Sequence, residues 1–166
     1  MALNCTPNHP ALISGLFETL GESIPESLQA NQYGNVTTSS YVQCAGAFND
    51  KSKDFKIRLT TNTALNNLLD PGSIHFLSGK LMPLNDGSVP TLTYIQEASA
   101  VACPSGAQSF SFTNKATVNS LGLVLSREEI VLEGIEGTSH LAVIMSHNDW
   151  DSQVHHLLHR KSHLTN

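Results

Sequence analysis

The segment FKIRLT, which begins at Phe55, constrains the fold of this chain more than any other. The apolar residues Phe55, Ile57 and Leu59 take every second position. The charged residues Lys56 and Arg58 lie between them. Successive side chains of a β-strand point to opposite faces, so this period of two predicts a strand with one buried and one exposed face. A sheet with one apolar face must cover that face with a second layer or close into a barrel.

Short segments of the same kind follow one another after Gly34 and are separated by turn residues. They lie at 36–48, 73–82, 91–96, 109–113, 120–126, 128–133 and 139–147. Only 14% of the residues are charged, so Ser, Thr and Asn must cover much of the surface, which suits exposed strands better than exposed helices. We therefore predict a mainly β fold, either a closed or partly open antiparallel barrel or, as the alternative, a sandwich.

Three segments predict helices beside these strands. The first precedes them, where apolar residues recur at helical spacing: Leu12, Ile13, Leu16, Phe17 and Leu20. The second is a short inter-strand helix that ends at Asp70, because a residue before proline avoids helical geometry. The third is the tail after Trp150. The predicted organisation is a helical N-terminal elaboration (1–34), a β-barrel domain (35–148) and a short helical or disordered tail (149–166).

A hairpin is predicted where the segments SIHFLSGKLM and TLTYIQ flank a polar tip. Asn85, Asp86 and Gly87 are residue types that supply the positive backbone angles of such a tip. Pro83 and Pro90 bracket the tip and restrict the pairing, because proline cannot donate to a strand ladder. The tip is interpreted as a structural bend, and a presented recognition loop is the alternative.

The segments IHFLSGKLMPLNDGSVPTLTY, GLVLSREEIV and VIMSHNDWD carry a family resemblance. Together, along roughly residues 60–151, they resemble a large and poorly characterised protein family of rust fungi. The resemblance implies a barrel of the oligonucleotide/oligosaccharide-binding (OB) type, and it implies no activity, because the family has none established. This chain departs from the family after DWD, where further β-structure is replaced by SQVHHLLHRKSHLTN.

The net charge, the length of the apolar segments and the cysteines limit which partners and which cellular compartment we expect. The formal net charge of −5 argues against strong nonspecific attraction to a phosphate backbone. No segment approaches the roughly 18 apolar residues of a membrane span, and no signal peptide is recognised, so no membrane partner is expected. Cys5, Cys44 and Cys103 are odd in number and far apart, which predicts reduced thiols in the cytoplasm or nucleus.

The sequence contains no GxSxG, GxGxxG or phosphate-loop motif, so we predict neither an enzyme nor a cofactor. The histidine-rich tail is the one metal candidate. On a helix, His155, His159 and His163 would share one face, as ligands of zinc or nickel can. The tail lacks cysteine partners and an HExxH motif, so a solvated tail with incidental histidines is preferred.

Basic residues with two tyrosines form the best ligand-binding pattern. The predicted nucleic-acid-binding residues are Lys51, Lys53, Lys56, Arg58, Lys80, Tyr41 and Tyr94. OB barrels bind single strands in this way, with a cationic groove and aromatic stacking platforms. The alternative is an exposed basic strand with no ligand.

We expect a noncatalytic binding protein. A protein-interaction module that uses a sheet edge or the loop between Pro83 and Pro90 is placed first, and a homo-oligomer is one form of it. Single-stranded nucleic-acid binding is the alternative. A metal-dependent hydrolase that uses the histidine-rich tail is placed last.

Overall fold

The computed structural model describes residues 9–25, 33–45, 53–64, 67–83, 87–106, 110–131, 139–151 and 156–165. Within them, one short 3-10 turn is present at Gln96–Ala98. The strands are β1 (Ala11–Thr19), β2 (Ile24–Pro25), β3 (Tyr33–Cys44), β4 (Lys53–Ala64), β5 (Ser73–Met82), β6 (Thr91–Tyr94), β7 (Ala100–Pro104), β8 (Ala116–Ser120), β9 (Leu123–Val131), β10 (Ser139–Asp151) and β11 (His156–Thr165).

Five of these strands close a barrel. Its order is β1, β3, β4, β6, β5 and back to β1. The predicted mainly β fold is therefore confirmed in its closed-barrel form rather than as a sandwich. The antiparallel pattern has one exception, because β4 and β6 run parallel, with Leu59 opposite Leu92. Strand β6 is the second strand of the hairpin that begins with β5. Its other edge pairs with β4, so it lies between β5 and β4 in the sheet.

The barrel interior holds the apolar residues of the alternating strands. Phe17, Leu59, Leu77 and Leu92 are fully buried, and Ile57 is nearly so. Lys56 and Arg58 point outward and are exposed, as the alternation predicts. Phe55 is the exception, because it lies near the start of β4 and stays 51% exposed.

The predicted N-terminal helix is wrong, because residues 11–19 form strand β1. Ile13, Phe17 and Thr19 are buried on its inner face, while Leu12 on the other face is 46% exposed. A short apolar run satisfies both periods, so spacing alone does not separate helix from strand. The strand forms because β1 pairs with β5 over most of its length and with β8 and β3 on its other side.

The two other predicted helices are also replaced. Residues 67–70, the part of the second predicted helix before Pro71, are irregular, and the N–H of Asn67 donates to the carbonyl of Ala64 at 2.9 Å. Residues 65 and 66 lie outside the described residues. Residues 156–165 of the tail form β11 instead of the predicted helix, because β11 pairs with β10 from Asp151–His156 to Ala142–Thr165. The domain boundaries at 34 and 148 stay a prediction.

The predicted hairpin is confirmed as the antiparallel pair β5–β6. Gly87 at its tip has φ of +83°, the left-handed value that glycine adopts readily. Asn85 and Asp86 lie outside the described residues.

Strands β9, β10 and β11 form a second, three-stranded sheet in the order β11-β10-β9. Strand β8 precedes it and belongs to the barrel sheet, where it pairs with β1. Among the described residues, no helix is long and apolar enough to cross a membrane.

A candidate binding groove on the β3–β4 face

A groove with a volume of about 200 Å³ lies on the outer face of β3 and β4. Two loops provide its flanks: Leu20 follows β1, and Val89 precedes β6. The lining residues are Leu20, Ser39, Ser40, Lys56, Ile57, Arg58 and Val89. The groove therefore combines a cationic floor with aliphatic walls.

Strand pairing determines which side chains share this outer face. Ser39 lies opposite Arg58, and Tyr41 lies opposite Lys56. Lys56 and Arg58 are two residues apart on one strand, so their Cα atoms are about 7 Å apart and their side chains point to the same side. The sheet thus presents two adjacent cations toward the groove.

Backbone hydrogen bonds hold both flanks against the face. The N–H of Leu20 donates to the carbonyl of Ser39 at 2.9 Å. On the other side, the N–H of Arg58 donates to the carbonyl of Pro90 at 2.9 Å. Both walls of the groove are therefore attached to the barrel by backbone hydrogen bonds.

The predicted basic residues are only partly brought together. Lys56 and Arg58 line the groove, whereas Lys53 lies at the start of β4, opposite Cys44. Lys80 is half-buried on β5, opposite Thr93 of β6, so one strand separates it from β4. Lys51 lies outside the described residues.

The two predicted stacking tyrosines do not present open ring faces to the groove. Tyr94 is 4% exposed and packs in the barrel core, which corrects its predicted surface role. Burial raises the pKa of Tyr94 to about 12. Tyr41 is half-buried, packs against Phe112 with ring centroids 5.6 Å apart, and donates its hydroxyl to Glu18. Burial, followed by this bond to the Glu18 carboxylate, raises the pKa of Tyr41 above its ordinary value.

Sequence reasoning missed three residues of this surface. Leu20 and Val89 line the groove, and only the closed barrel brings their two loops to one face. Tyr33 lies on the outer face of β3 and is 53% exposed. It is six residues from Ser39, or about 20 Å along the strand. The sequence does carry a signal for Tyr33: it is an even number of residues from Ser39, which places both side chains on the same face of one strand.

Two of the three tail histidines considered as candidate metal ligands lie in a described strand. His159 and His163 lie on strand β11, opposite Asn148 and Ile144, rather than on a helix, and His155 is outside the described residues. Among the side chains that the structure describes, which exclude those of β11, no group of three or more His, Cys, Asp or Glu is placed to hold a metal ion. Cys44 and Cys103 are unbridged thiols.

Comparisons with known proteins assign no family. The sequence matches no protein-family model, and no curated protein shows detectable similarity to it. The resemblance to the rust-fungus family therefore stays a prediction.

Proposed function

We propose that the barrel is of the OB type and binds single-stranded nucleic acid in the β3–β4 groove. In chain order, β1, β3, β4, β5 and β6 are its five strands. OB barrels bind oligonucleotides on the face of their second and third strands, between the loop that joins strands one and two and the loop that joins strands four and five. Here those parts are the β3–β4 face, the connection that begins at Leu20, and the loop that contains Val89.

The observation that carries this proposal is the lining of the groove. Lys56 and Arg58 supply positive charge for phosphates, and Leu20 and Val89 supply aliphatic contact for a base. At about 200 Å³ the groove is smaller than the roughly 300–1,000 Å³ of small-molecule pockets. It therefore suits one segment of a polymer that continues along the sheet better than a whole metabolite.

The outer face of β3 and β4 provides a path for such a polymer. Beyond the Ser39–Arg58 pair it continues through Asn35 and Asn62, whose amides are hydrogen-bonded at 3.0 Å, and reaches Tyr33 near its end. Amides and an exposed tyrosine are suitable contacts for sugars and bases. We expect a strand of several nucleotides to follow this polar strip, the usual range of one OB fold.

The net charge of −5 argues against nonspecific attraction to phosphates, but binding in one groove depends on the charge around that groove. Glu128 and Glu129 lie on β9, which belongs to the other sheet. Glu18, near the groove, accepts the Tyr41 hydrogen bond. Asp54 is the acid on the same face of β4 as Lys56, and we expect it to weaken binding.

The test is a fluorescence-anisotropy titration of the full chain with a labelled mixed-sequence oligonucleotide. We expect binding to the single strand that weakens with added salt, and weaker binding to the matching duplex. Arg58→Ala should reduce the affinity about tenfold, which corresponds to a loss of about 1.4 kcal/mol. Lys115→Ala removes an exposed cation outside the groove lining and serves as the matched control. Binding that is absent, insensitive to salt, or equal in both variants would contradict the proposal.

We also infer that the protein is noncatalytic, uses no cofactor and resides in the cytoplasm or nucleus. The unbridged Cys44 and Cys103 are compatible with a reducing compartment. A protein-interaction role is the second candidate, and the exposed aliphatic side chains of β9 favour it.

A further inference from the structure

Strand β9 is an edge of the three-stranded sheet. It pairs with β10 on one side, and its other side has no strand partner within the described part of the chain. An edge of this kind offers a row of backbone donors and acceptors to an incoming strand. The nine residues of β9 are long for an edge, since natural edge strands are usually kept short.

Aliphatic side chains are unusually exposed on this strand. Leu123 and Val131, at its two ends, are 68% and 69% exposed, and Val124 and Leu125 are about half exposed. The neighbouring Leu141 on β10 is 46% exposed. Leu123, Val124 and Leu125 are consecutive, and clustered exposed aliphatic residues mark an interaction surface more often than isolated ones do.

We propose that β9 pairs antiparallel with β9 of a second copy of this chain, about a two-fold axis through Glu128. In this register Arg127 lies opposite Glu129 of the second copy, and Ser126 lies opposite its Ile130. The regular register covers residues 126–130, because Leu125 is a bulge between Ser126, which pairs with Ile144, and Val124, which pairs with Met145. The symmetry repeats each pair. The two sheets then form one continuous sheet in the order β11-β10-β9-β9-β10-β11. Such pairing is strand addition with an isologous interface.

The strand that pairs with this edge is β9 of a second copy, because the charge pattern of β9 is complementary to itself in the antiparallel direction. The register gives two Arg127–Glu129 pairs of opposite charge. Cross-strand pairs of opposite charge stabilise antiparallel sheets. The only unfavourable pair is Glu128 opposite its own copy on the axis, and it occurs once.

Neighbouring registers lack this match. A shift by two residues in one direction places Arg127 opposite itself, and a shift in the other direction places Glu129 opposite itself and Arg127 opposite Val131. A shift by one residue exchanges the two faces of the strand and is incompatible with the two-fold axis. The charge pattern therefore selects one arrangement.

The alternative is that Arg127, Glu128 and Glu129 are guards that keep the edge unpaired, since charges on edge strands commonly prevent association. The two ideas differ in what a charge exchange does. If the charges only keep the edge unpaired, exchanging arginine and glutamate does not change self-association. If the charges match across a dimer, one charge reversal weakens the dimer and both reversals together restore it.

Sedimentation equilibrium of the full chain tests the proposal. We expect a wild-type dimer, at least about tenfold weaker self-association in both Arg127→Glu and Glu129→Arg, and recovery in the double variant. An equimolar mixture of the two single variants should form a heterodimer, because each then supplies the charge that the other lacks. Glu97→Arg reverses an exposed charge on the 3-10 turn and is the matched control.

Circular dichroism of each variant establishes that it is folded. A wild-type monomer across the concentration range, a dimer that neither reversal weakens, or a folded double variant and mixture that stay monomeric would each overturn the proposed pairing. This outcome is separate from nucleic-acid binding, which is measured at the barrel groove.

Discussion

The hydroxyl of Tyr41 donates a hydrogen bond to the carboxylate of Glu18, and these two residues lie opposite each other where β1 meets β3. The pairing of β1 with β3 closes the barrel, and we call it the seam. Its paired residues are Glu18–Tyr41 and Thr19–Ser40. Ser40 supports the same seam, because its hydroxyl donates to the carbonyl of Glu18 at 2.6 Å. Side-chain hydrogen bonds therefore reinforce closure where the backbone ladder is shortest.

Removing the hydroxyl should weaken this seam. We expect Tyr41→Phe to lower the free energy of unfolding by about 1.5–3 kcal/mol, the range for a hydrogen bond to a charged group, because the ring still packs on Phe112. Urea unfolding followed by circular dichroism measures the change. Tyr94→Phe is the matched control, since the described residues provide no hydrogen bond to its hydroxyl. Equal losses in both variants would show that the seam bond contributes nothing specific.

Stability should fall in alkali, in the range where tyrosines ionise. Burial raises the pKa of Tyr94 from 10.0 to about 12, and burial with the Glu18 contact raises the pKa of Tyr41 further. A raised pKa means that the fold favours the neutral phenol, so this contribution is fully present below pH 10 and is lost as the pH rises toward 12 and beyond. Urea unfolding at a series of alkaline pH values measures the slope. Tyr94→Phe should reduce it, and an unchanged slope would contradict the assignment.

A close strand contact at Gly79 should not tolerate a side chain. A Cβ at this position would overlap the carbonyl oxygen of Thr93 and lie 2.6 Å from Cα of Tyr94, so β6 would have to move away from β5. We expect Gly79→Ala to destabilise the barrel by about 1–3 kcal/mol or more. Thermal unfolding checks this result. Gly21→Ala is the control, because nothing lies within 4 Å of its added Cβ, and a similar loss there would refute the close-contact explanation.

The salt dependence of oligonucleotide binding should report the Lys56 contact. Each phosphate contact to a single strand contributes about 0.7 to the slope of log affinity against log salt concentration. Lys56→Ala should therefore reduce the magnitude of that slope by about 0.7, while Lys115→Ala leaves it unchanged. Anisotropy titrations at several salt concentrations give both slopes. If the two variants share the wild-type slope, Lys56 does not contact phosphate.

Part of the binding face could be predicted because it depends on one strand. Alternation along β4 places Lys56 and Arg58 together on the outside and Ile57 and Leu59 inside, whatever that strand pairs with. The prediction for Tyr94 failed because Tyr94 lies two residues from the buried Leu92 on β6 and shares its inward face, so the alternation that places the cations of β4 outside points Tyr94 into the core. Leu20 and Val89 could not be assigned, because they are far apart in sequence and meet only across the closed barrel.

The amino-acid sequence alone determined three local features, since each depends on residues that are neighbours in the chain. They are the strands β3 to β6, the hairpin tip at Gly87 and the exposed cations of β4. Tertiary structure alone decided that β1 and β11 are strands rather than helices. Both segments carry apolar residues that fit either period, and a strand completes its backbone hydrogen bonds only with partners elsewhere in the chain. Those partners, β5 for β1 and β10 for β11, exist only once the chain has folded.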